Sequence, residues 1–265
     1  MPAVRWALIT GASEGIGRAM AGVAAADGWN LIVSARNLAR LEDLATDLRG
    51  RNGVRVVAIG ADLSQPGEAE RLWQQAVAAA GGRIGALVNN AGLGWHGGFG
   101  STPEGAAQEA EVIAINIAAL TTLAQLGLAH MRGAGAGRML NVASAVAFMP
   151  TPNMAVYAAS KAYVLSLSEA LAVEVAGSGV SVTALCPGAT DTGFFERAGV
   201  GRIRVAQMLR MPQPDGVARA GWRGMIAGRR IVIPGAMNTL SAFAPRLLPR
   251  GVMTRLAGTF MARTD

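Results

Sequence analysis

The sequence is poor in four chemically distinctive residue types. Its 265 residues include one cysteine, two histidines, two tyrosines and, among 24 basic residues, a single lysine, Lys161. The lone Cys186 excludes an intrachain disulfide and reads as a buried strand-end residue. His96 and His130 are isolated from each other and from carboxylates, so we expect surface positions for both and no metal site.

Long apolar runs are also missing. No stretch of 18 apolar residues is free of charge, Pro and Gly together, and no secretory leader pattern opens the chain, so we predict no transmembrane helix and a cytoplasmic protein. Charged residues make up only 15% and the formal charge is +7. The arginines are scattered, which favours a solvated Arg-rich surface over nucleic-acid binding.

Short apolar runs alternate with longer helical patterns. Because the apolar runs do not alternate with polar residues, they are typical of strands buried on both faces. We predict one α/β domain over 1–235, a doubly wound Rossmann fold with a seven-stranded parallel sheet flanked by helices. The predicted strands are 4–10, 30–35, 54–59, 84–88, 137–143, 180–185 and 230–233, and helices include 15–27, 38–49, 66–80, 155–176 and 214–227.

A glycine-rich turn, TGASEGIG, follows the first strand and opens a helix. Gly11, Gly15 and Gly17 let backbone approach a pyrophosphate, which the positive end of the helix attracts. A strand–helix turn that merely requires glycine is the alternative. The position after a strand and before a helix favours dinucleotide binding.

The second strand ends at Arg36, where an acidic residue would favour a ribose without a 2′-phosphate. An arginine there pairs with the 2′-phosphate of NADP, with Asn37 and Arg40 as helpers. A solvated arginine at a helix start is the alternative, and the charge of Glu14 lies near the same phosphate. We predict NADP(H) as the preferred cofactor, with NAD(H) second.

Two further strand ends carry polar residues. Asp62, in ADL, accepts a hydrogen bond from an adenine amino group or caps the helix near Ser64. The segment NNAG, Asn89 to Gly92, either borders the cofactor or forms an ordinary turn.

Tyr157 and Lys161 stand four residues apart in YAASK and share one helix face. A nearby cation favours phenolate, so we expect Lys161 to lower the pKa of Tyr157. Chance retention of one lysine in an Arg-biased chain is the alternative. With TGASEGIG, NNAG and Ser144, this motif resembles the short-chain dehydrogenase/reductase family over about residues 4–235.

The resemblance implies that Tyr157 is the general acid and base, that Lys161 binds the nicotinamide ribose and that Ser144 bonds the substrate oxygen. It implies a water relay at Asn116, where a helix kink or local cap is the alternative. It also implies a homodimer or homotetramer, and a nicotinamide-side loop in CPGATDT. The predicted cofactor contacts are Gly11, Ser13, Glu14, Gly15, Ile16, Gly17, Arg36, Asp62, Leu63, Asn89, Ala91, Gly92, Tyr157, Lys161, Pro187, Gly188, Thr190 and Thr192.

Apolar residues in the variable loops predict a pocket for a hydrophobic ketone or alcohol. The candidates are Leu93, Trp95, Phe99, Phe148, Met149, Met154, Phe194, Phe195, Met208 and Met211. A cofactor-binding protein without turnover is the alternative function. The amphipathic tail 236–265 is expected to pack on the same domain, over the substrate lid or a subunit interface, in preference to a membrane surface.

Overall fold

The computed structural model describes residues 5–194, 198, 211–243 and 249–260. Seven strands form one sheet in the order β3-β2-β1-β4-β5-β6-β7, and all neighbouring strands are parallel. The predicted Rossmann-like α/β fold is therefore confirmed. The strands are β1 Trp6–Thr10, β2 Asn30–Ala35, β3 Val56–Gly60, β4 Ile84–Asn89, β5 Gly137–Val142, β6 Val180–Leu185 and β7 Ile231–Val232.

The described helices are α1 Gly15–Ala26, α2 Leu38–Asn52, α3 Glu68–Ala79, α4 Pro103–Ile113, α5 Leu120–Ala134, α6 Ala155–Glu174, α7 Pro214–Ile226, α8 Ala236–Phe243 and α9 Arg250–Phe260. A π-helical segment, Ala114–Ala119, joins α4 to α5. The predicted boundaries differ from these by up to three residues. The differences fall at helix and strand ends, where capping and pairing decide the last residue.

The sheet is covered on both faces, as its apolar strands require. Side chains alternate along β1: Ala7 and Ile9 pack into one core, whereas Trp6 and Leu8 pack into the other. The first core is completed by α1, α2 and α7, and the second mainly by α3 and α5. This period of two fixes which face each strand residue serves.

The α4–α5 segment, Pro103–Ala134, spans 32 residues and is long and apolar enough to cross a membrane, by length and composition only. Half of its most apolar window is buried inside the protein. Its α5 part packs on β4, β5 and α3, as a core helix does.

The strand order reverses between β1 and β4. The chain moves outward from β1 through β2 to β3, returns to β4 beside β1, and continues outward to β7. Crevices at the carboxyl ends of such strands are the ligand sites of open parallel sheets. The glycine-rich turn after β1 and the NNAG segment after β4 therefore meet at one edge.

Candidate active site

A cavity of about 880 Å³ runs along the carboxyl ends of the strands. It reaches from Arg36 at its outer end to Tyr157 at its inner end. Most predicted cofactor residues line it, namely Gly11, Ser13, Glu14, Gly15, Ile16, Arg36, Asp62, Leu63, Ala91, Gly92, Tyr157, Pro187, Gly188, Thr190 and Thr192. Gly17, Asn89 and Lys161 do not line it.

The glycine-rich turn depends on its glycines in two ways. Gly11 and Gly15 have φ angles of 65° and 55°, which favour glycine. A Cβ on Gly17 would overlap the carbonyl oxygen of Gly11 and the side-chain amide of Asn90. Gly17 does not line the cavity, and its lack of a side chain lets α1 pack closely against the turn. Its contact with a ligand stays a prediction.

Asn89 also differs from its prediction. It is buried, and its Nδ2 donates to Oδ1 of Asn141 at 2.9 Å on the neighbouring strand. The next residue, Asn90, lines the cavity instead, and its Nδ2 donates to the carbonyl oxygens of Thr10 and Gly11 at 2.9 and 3.1 Å. Asn90 thus ties the end of β4 to the glycine-rich turn. Two adjacent asparagines at a strand end leave this choice open in the sequence.

The outer end of the cavity is rich in charge. Nη1 of Arg36 donates to Oε1 of Glu111 at 2.9 Å, and Nη1 of Arg40 donates to Oε2 of Glu14 at 3.2 Å. The side chain of Ser34, at the end of β2, is buried and finds no hydrogen-bond partner among the described residues. Sequence reasoning missed Glu111, since no motif links it to Arg36.

Asp62 lines the cavity and also forms a turn. Its Oδ1 accepts from the backbone N–H and the hydroxyl of Ser64, at 3.1 and 2.8 Å. The alternative of a helix cap is excluded, because α3 begins at Glu68 with Gly67 before it. Burial raises the pKa of Asp62, but the hydrogen bonds from Ser64 and the charge of Arg36 together bring that pKa below its ordinary value.

At the inner end, α6 brings Tyr157 beside Ser144, which follows β5. Burial raises the pKa of Tyr157 to about 12, and a hydrogen bond with the Ser144 side chain acts in the opposite direction. The expectation of a lowered Tyr157 pKa is therefore wrong here. The ammonium of Lys161 lies 5.8 Å from the centre of the tyrosine ring, and desolvation of the phenol dominates.

Lys161 lies behind the cavity wall. Its Nζ donates to the carbonyl oxygen of Val142 at 2.8 Å, at the end of β5. Burial lowers the pKa of Lys161 to about 8. A cation in this position needs little room, which suits the compact ammonium of lysine better than the wide fork of arginine.

Asn116 is fully buried in the π-helical segment. Its Oδ1 accepts from the backbone N–H of Leu93 at 2.9 Å, while its Nδ2 donates to the Leu93 carbonyl at 2.9 Å and to Oγ of Ser160 at 3.0 Å. These bonds hold the loop after β4. A Cβ on Gly92 would lie 3.1 Å from Oδ1 of Asn116 and 3.3 Å from Nζ of Lys161, so the three residues are closely packed.

Four of the predicted substrate residues line the cavity: Leu93, Met149, Met154 and Phe194. The ring of Phe194 lies 5.2 Å from that of Tyr157, centre to centre. The predictions for Phe195 and Met208 lie outside the described residues.

The remaining substrate candidates within the described residues do not line the cavity, so contact with a substrate stays a prediction for them. The indole of Trp95 packs against Gly97 and Gly105, and Phe99 is 76% exposed. Phe148 ends the 3₁₀ turn Ala145–Phe148 and lines a separate groove. Met211 does not line the cavity either.

The C-terminal tail completes the apolar end of the cavity. Residues from α8 and α9 line it: Met237, Asn238, Ser241, Met253, Leu256 and Ala257. The inner face of α9 is formed by the buried Met253 and Ala257. Sequence periodicity shows an amphipathic tail, but it does not show which surface the tail covers.

Neither histidine lines the cavity, and Cys186 does not line it either. His96 is 2% exposed, so the expected surface position is wrong. Burial raises the pKa of the Cys186 thiol to about 12. Among the described residues, no group of three His, Cys, Asp or Glu side chains is arranged to hold a metal ion.

Comparisons with known proteins agree with this fold. The family described as short chain dehydrogenase matches residues 5–200. The chain is 33% identical to 17-beta-hydroxysteroid dehydrogenase type 3 of Rattus norvegicus over 75% of this chain and 64% of that protein. It spans about three-fifths of the length of the curated relatives that it matches first.

Two solved structures are similar over nearly the whole chain. A short-chain dehydrogenase from Sphingobium yanoikuyae in complex with NADPH is 34% identical, with a TM-score of 0.80 and coverage of 94% of this chain and 95% of that one. The bulky-bulky ketone specific alcohol dehydrogenase from Comamonas testosteroni is 31% identical, with a TM-score of 0.76 and coverage of 94% and 93%.

Proposed function

Because the chain belongs to the short-chain dehydrogenase family, we propose that it transfers a hydride reversibly between NADP(H) and a hydrophobic ketone or secondary alcohol. Tyr157 is the general acid in reduction and the general base in oxidation. One observation carries the proposal: a single cavity has Arg36 at its outer end and the Tyr157–Ser144 pair at its inner end.

The cavity suits a dinucleotide. Gly11 and Gly15 keep backbone close to the space before the N-terminus of α1, where a pyrophosphate is favoured. The buried hydroxyl of Ser34 lacks a partner among the described residues and lies in the same wall as Arg36. The similar Sphingobium structure holds NADPH, which supports the assignment. When bound, the nicotinamide supplies or accepts the hydride.

Tyr157 supplies the proton. With its pKa raised to about 12 by burial, the phenol is protonated at neutral pH and ready to donate to a carbonyl oxygen that gains negative charge. Ser144 lies beside it and orients the same oxygen through its hydroxyl. Oxidation needs the phenolate, so we expect the alcohol-oxidation rate to rise with pH in the alkaline range.

Lys161 and Asn116 support that proton transfer from behind the wall. The ammonium of Lys161 is held by the Val142 carbonyl within 5.8 Å of the tyrosine ring centre, where it stabilises a developing phenolate. Asn116 holds the Leu93 backbone and thereby the shape of the wall.

The apolar lining indicates the substrate class. Leu93, Met149, Met154 and Phe194 surround the space next to Tyr157, and Met253 of the tail adds to it. Methionine side chains adapt to irregular apolar ligands. Two of the similar proteins are named for a hydroxysteroid and a bulky ketone, which agrees with a large apolar substrate.

The test follows absorbance of the reduced nicotinamide during incubation with aryl, alkyl, steroid-like and acyl ketones and a small charged keto acid. We expect oxidation of NADPH with bulky apolar ketones at neutral pH and little turnover of the keto acid. Tyr157→Phe should lower kcat about 10²- to 10⁴-fold while NADPH affinity stays within about twofold.

Two outcomes would contradict the proposal. Turnover of the keto acid at the rate of an aryl ketone would rule out the hydrophobic substrate class. Tight NADPH binding by both the wild type and Tyr157→Phe, with no turnover of any ketone by either protein, would favour a cofactor-binding protein without catalysis.

A further inference from the structure

Glu111 contacts the arginine on which cofactor choice depends. It stands on α4, one helical turn before Ile115, and Ile115 lines the cavity. Glu111 does not itself line the cavity, but its bond to Arg36, which does, places its carboxylate beside the outer end. There its Oε1 accepts from Nη1 of Arg36 at 2.9 Å. The bond joins residues 75 positions apart in the sequence.

The second arginine is neutralised in the same way. Arg40 pairs with Glu14 at 3.2 Å, and both residues line the cavity. Asp62 adds a third carboxylate near Arg36, whose charge lowers the Asp62 pKa. The charged side chains at the outer end therefore comprise two cations and three carboxylates. Their formal sum is negative, although Arg36 alone suggests a site for an anion.

The carboxylates affect the two dinucleotides differently. A 2′-phosphate carries roughly −1.5 to −2 charges at neutral pH. It competes with Glu111 for Arg36 and is repelled by the carboxylate. The 2′-hydroxyl of NAD(H) carries no charge, so the Glu111 carboxylate weakens the binding of NAD(H) only slightly. Removal of this carboxylate charge should therefore strengthen the binding of one cofactor and not of the other.

We propose that Glu111 is a specificity-determining residue that restrains the preference for NADP(H) over NAD(H) by neutralising Arg36. The inference rests on the proposed function, since it needs a dinucleotide in this cavity. By this proposal a residue on α4, Glu111, sets how strongly the protein prefers NADP(H), whereas Arg36 itself follows β2.

Glu111→Gln removes the charge of the side chain at position 111 and nearly preserves its shape. The glutamine keeps an oxygen that accepts from Arg36, so the guanidinium keeps its partner while the negative charge is removed. The pair is partly exposed, with side-chain exposures of 54% for Arg36 and 26% for Glu111, so its loss should leave the fold intact. Glu104→Gln is the matched control, because it removes the same charge from an exposed position on the same helix.

The experiment measures equilibrium dissociation constants by protein fluorescence for NADPH and NADH, and by calorimetry for adenosine 2′-monophosphate and adenosine 5′-monophosphate. We expect Glu111→Gln to lower the Kd of NADPH and of the 2′-monophosphate about five- to tenfold. The Kd of NADH and of the 5′-monophosphate should change less than about twofold, as should every Kd of Glu104→Gln. In an Arg36→Gln background the effect of Glu111→Gln should be smaller, because only the direct repulsion of the 2′-phosphate remains, and a double-mutant cycle measures the difference.

Three results would overturn the inference alone. These are an unchanged or raised NADPH Kd in Glu111→Gln, an equal gain for NADH, or an equal gain in Glu104→Gln. A wild-type protein that binds neither NADPH nor NADH would overturn the proposed function together with this inference.

Discussion

The two ends of the cavity hold the same kinds of charged group in opposite surroundings. Lys161, at the inner end, is 5% exposed and has a carbonyl oxygen as its hydrogen-bond partner. Arg36 and Arg40, at the outer end, have side chains more than half exposed and carboxylates as partners. Burial therefore determines the chemistry of the inner end, whereas the number and sign of the charges determine that of the outer end.

The difference shows why a lysine is kept at one end and arginines at the other. At the inner end burial moves the pKa of Lys161 to about 8 and that of Tyr157 to about 12. At the outer end water screens each pair, and a guanidinium stays charged while it changes partners. Three substitutions test the comparison. Lys161→Met and Arg40→Gln each remove a cation from one end, and Gly92→Ala adds a methyl group between residues of the inner end.

Lys161→Met should have the largest effect. We expect kcat to fall at least about 10²-fold, because the developing phenolate loses its cation. Stability should respond in a pH-dependent way. A lysine with a lowered folded-state pKa destabilises the folded protein while it is charged, so this cost is present below about pH 8 and is relieved as the pH rises.

The stability of the wild type relative to Lys161→Met should therefore rise by about 1 kcal/mol between pH 7 and pH 9. Urea denaturation at the two pH values measures this rise. Cys186, whose charge acts on Lys161, is present in both proteins. Arg51→Met, at a side chain that is 75% exposed, is the control and should show no such rise. A pH-independent difference for Lys161→Met would show that burial does not set the Lys161 pKa.

Gly92→Ala should have an intermediate effect. The new Cβ would lie 3.1 Å from Oδ1 of Asn116 and 3.3 Å from Nζ of Lys161, so both must shift by a few tenths of an ångström. We expect about a tenfold loss of kcat and a loss of about 1 kcal/mol in the free energy of unfolding. Steady-state kinetics and urea denaturation measure these two quantities.

Gly50→Ala is the control for Gly92→Ala. Gly50 lies within α2, and a Cβ there meets nothing within 4 Å. This change should leave kcat unaltered and stabilise the helix by up to about 1 kcal/mol. If Gly92→Ala also left kcat unaltered, the close packing of the inner end would not matter to the reaction.

Arg40→Gln should have the smallest effect on stability. The pair with Glu14 is exposed, with side-chain exposures of 59% and 36%, and such pairs contribute less than about 1 kcal/mol. Thermal unfolding at low and high salt measures the change. A loss comparable to that of Gly92→Ala would break the contrast between the two ends.

Several features of the fold and the site follow from the sequence because they are local. Strands that are apolar on both faces require a covered parallel sheet, and the turn after β1 requires glycine at Gly11 and Gly15, whose φ angles are positive. The spacing of Tyr157 and Lys161 places both on one face of α6. These properties depend on neighbours within a few residues, which the sequence displays.

Only the tertiary structure decided the rest. It placed Asn90 instead of Asn89 in the cavity, brought Glu111 to Arg36 across 75 positions, and laid Met253 of the tail against the apolar end. It also raised the pKa of Tyr157 where the nearby lysine had suggested a lower one. Burial and contacts between distant segments depend on how the whole chain packs, and a pattern of neighbouring residues does not contain that information.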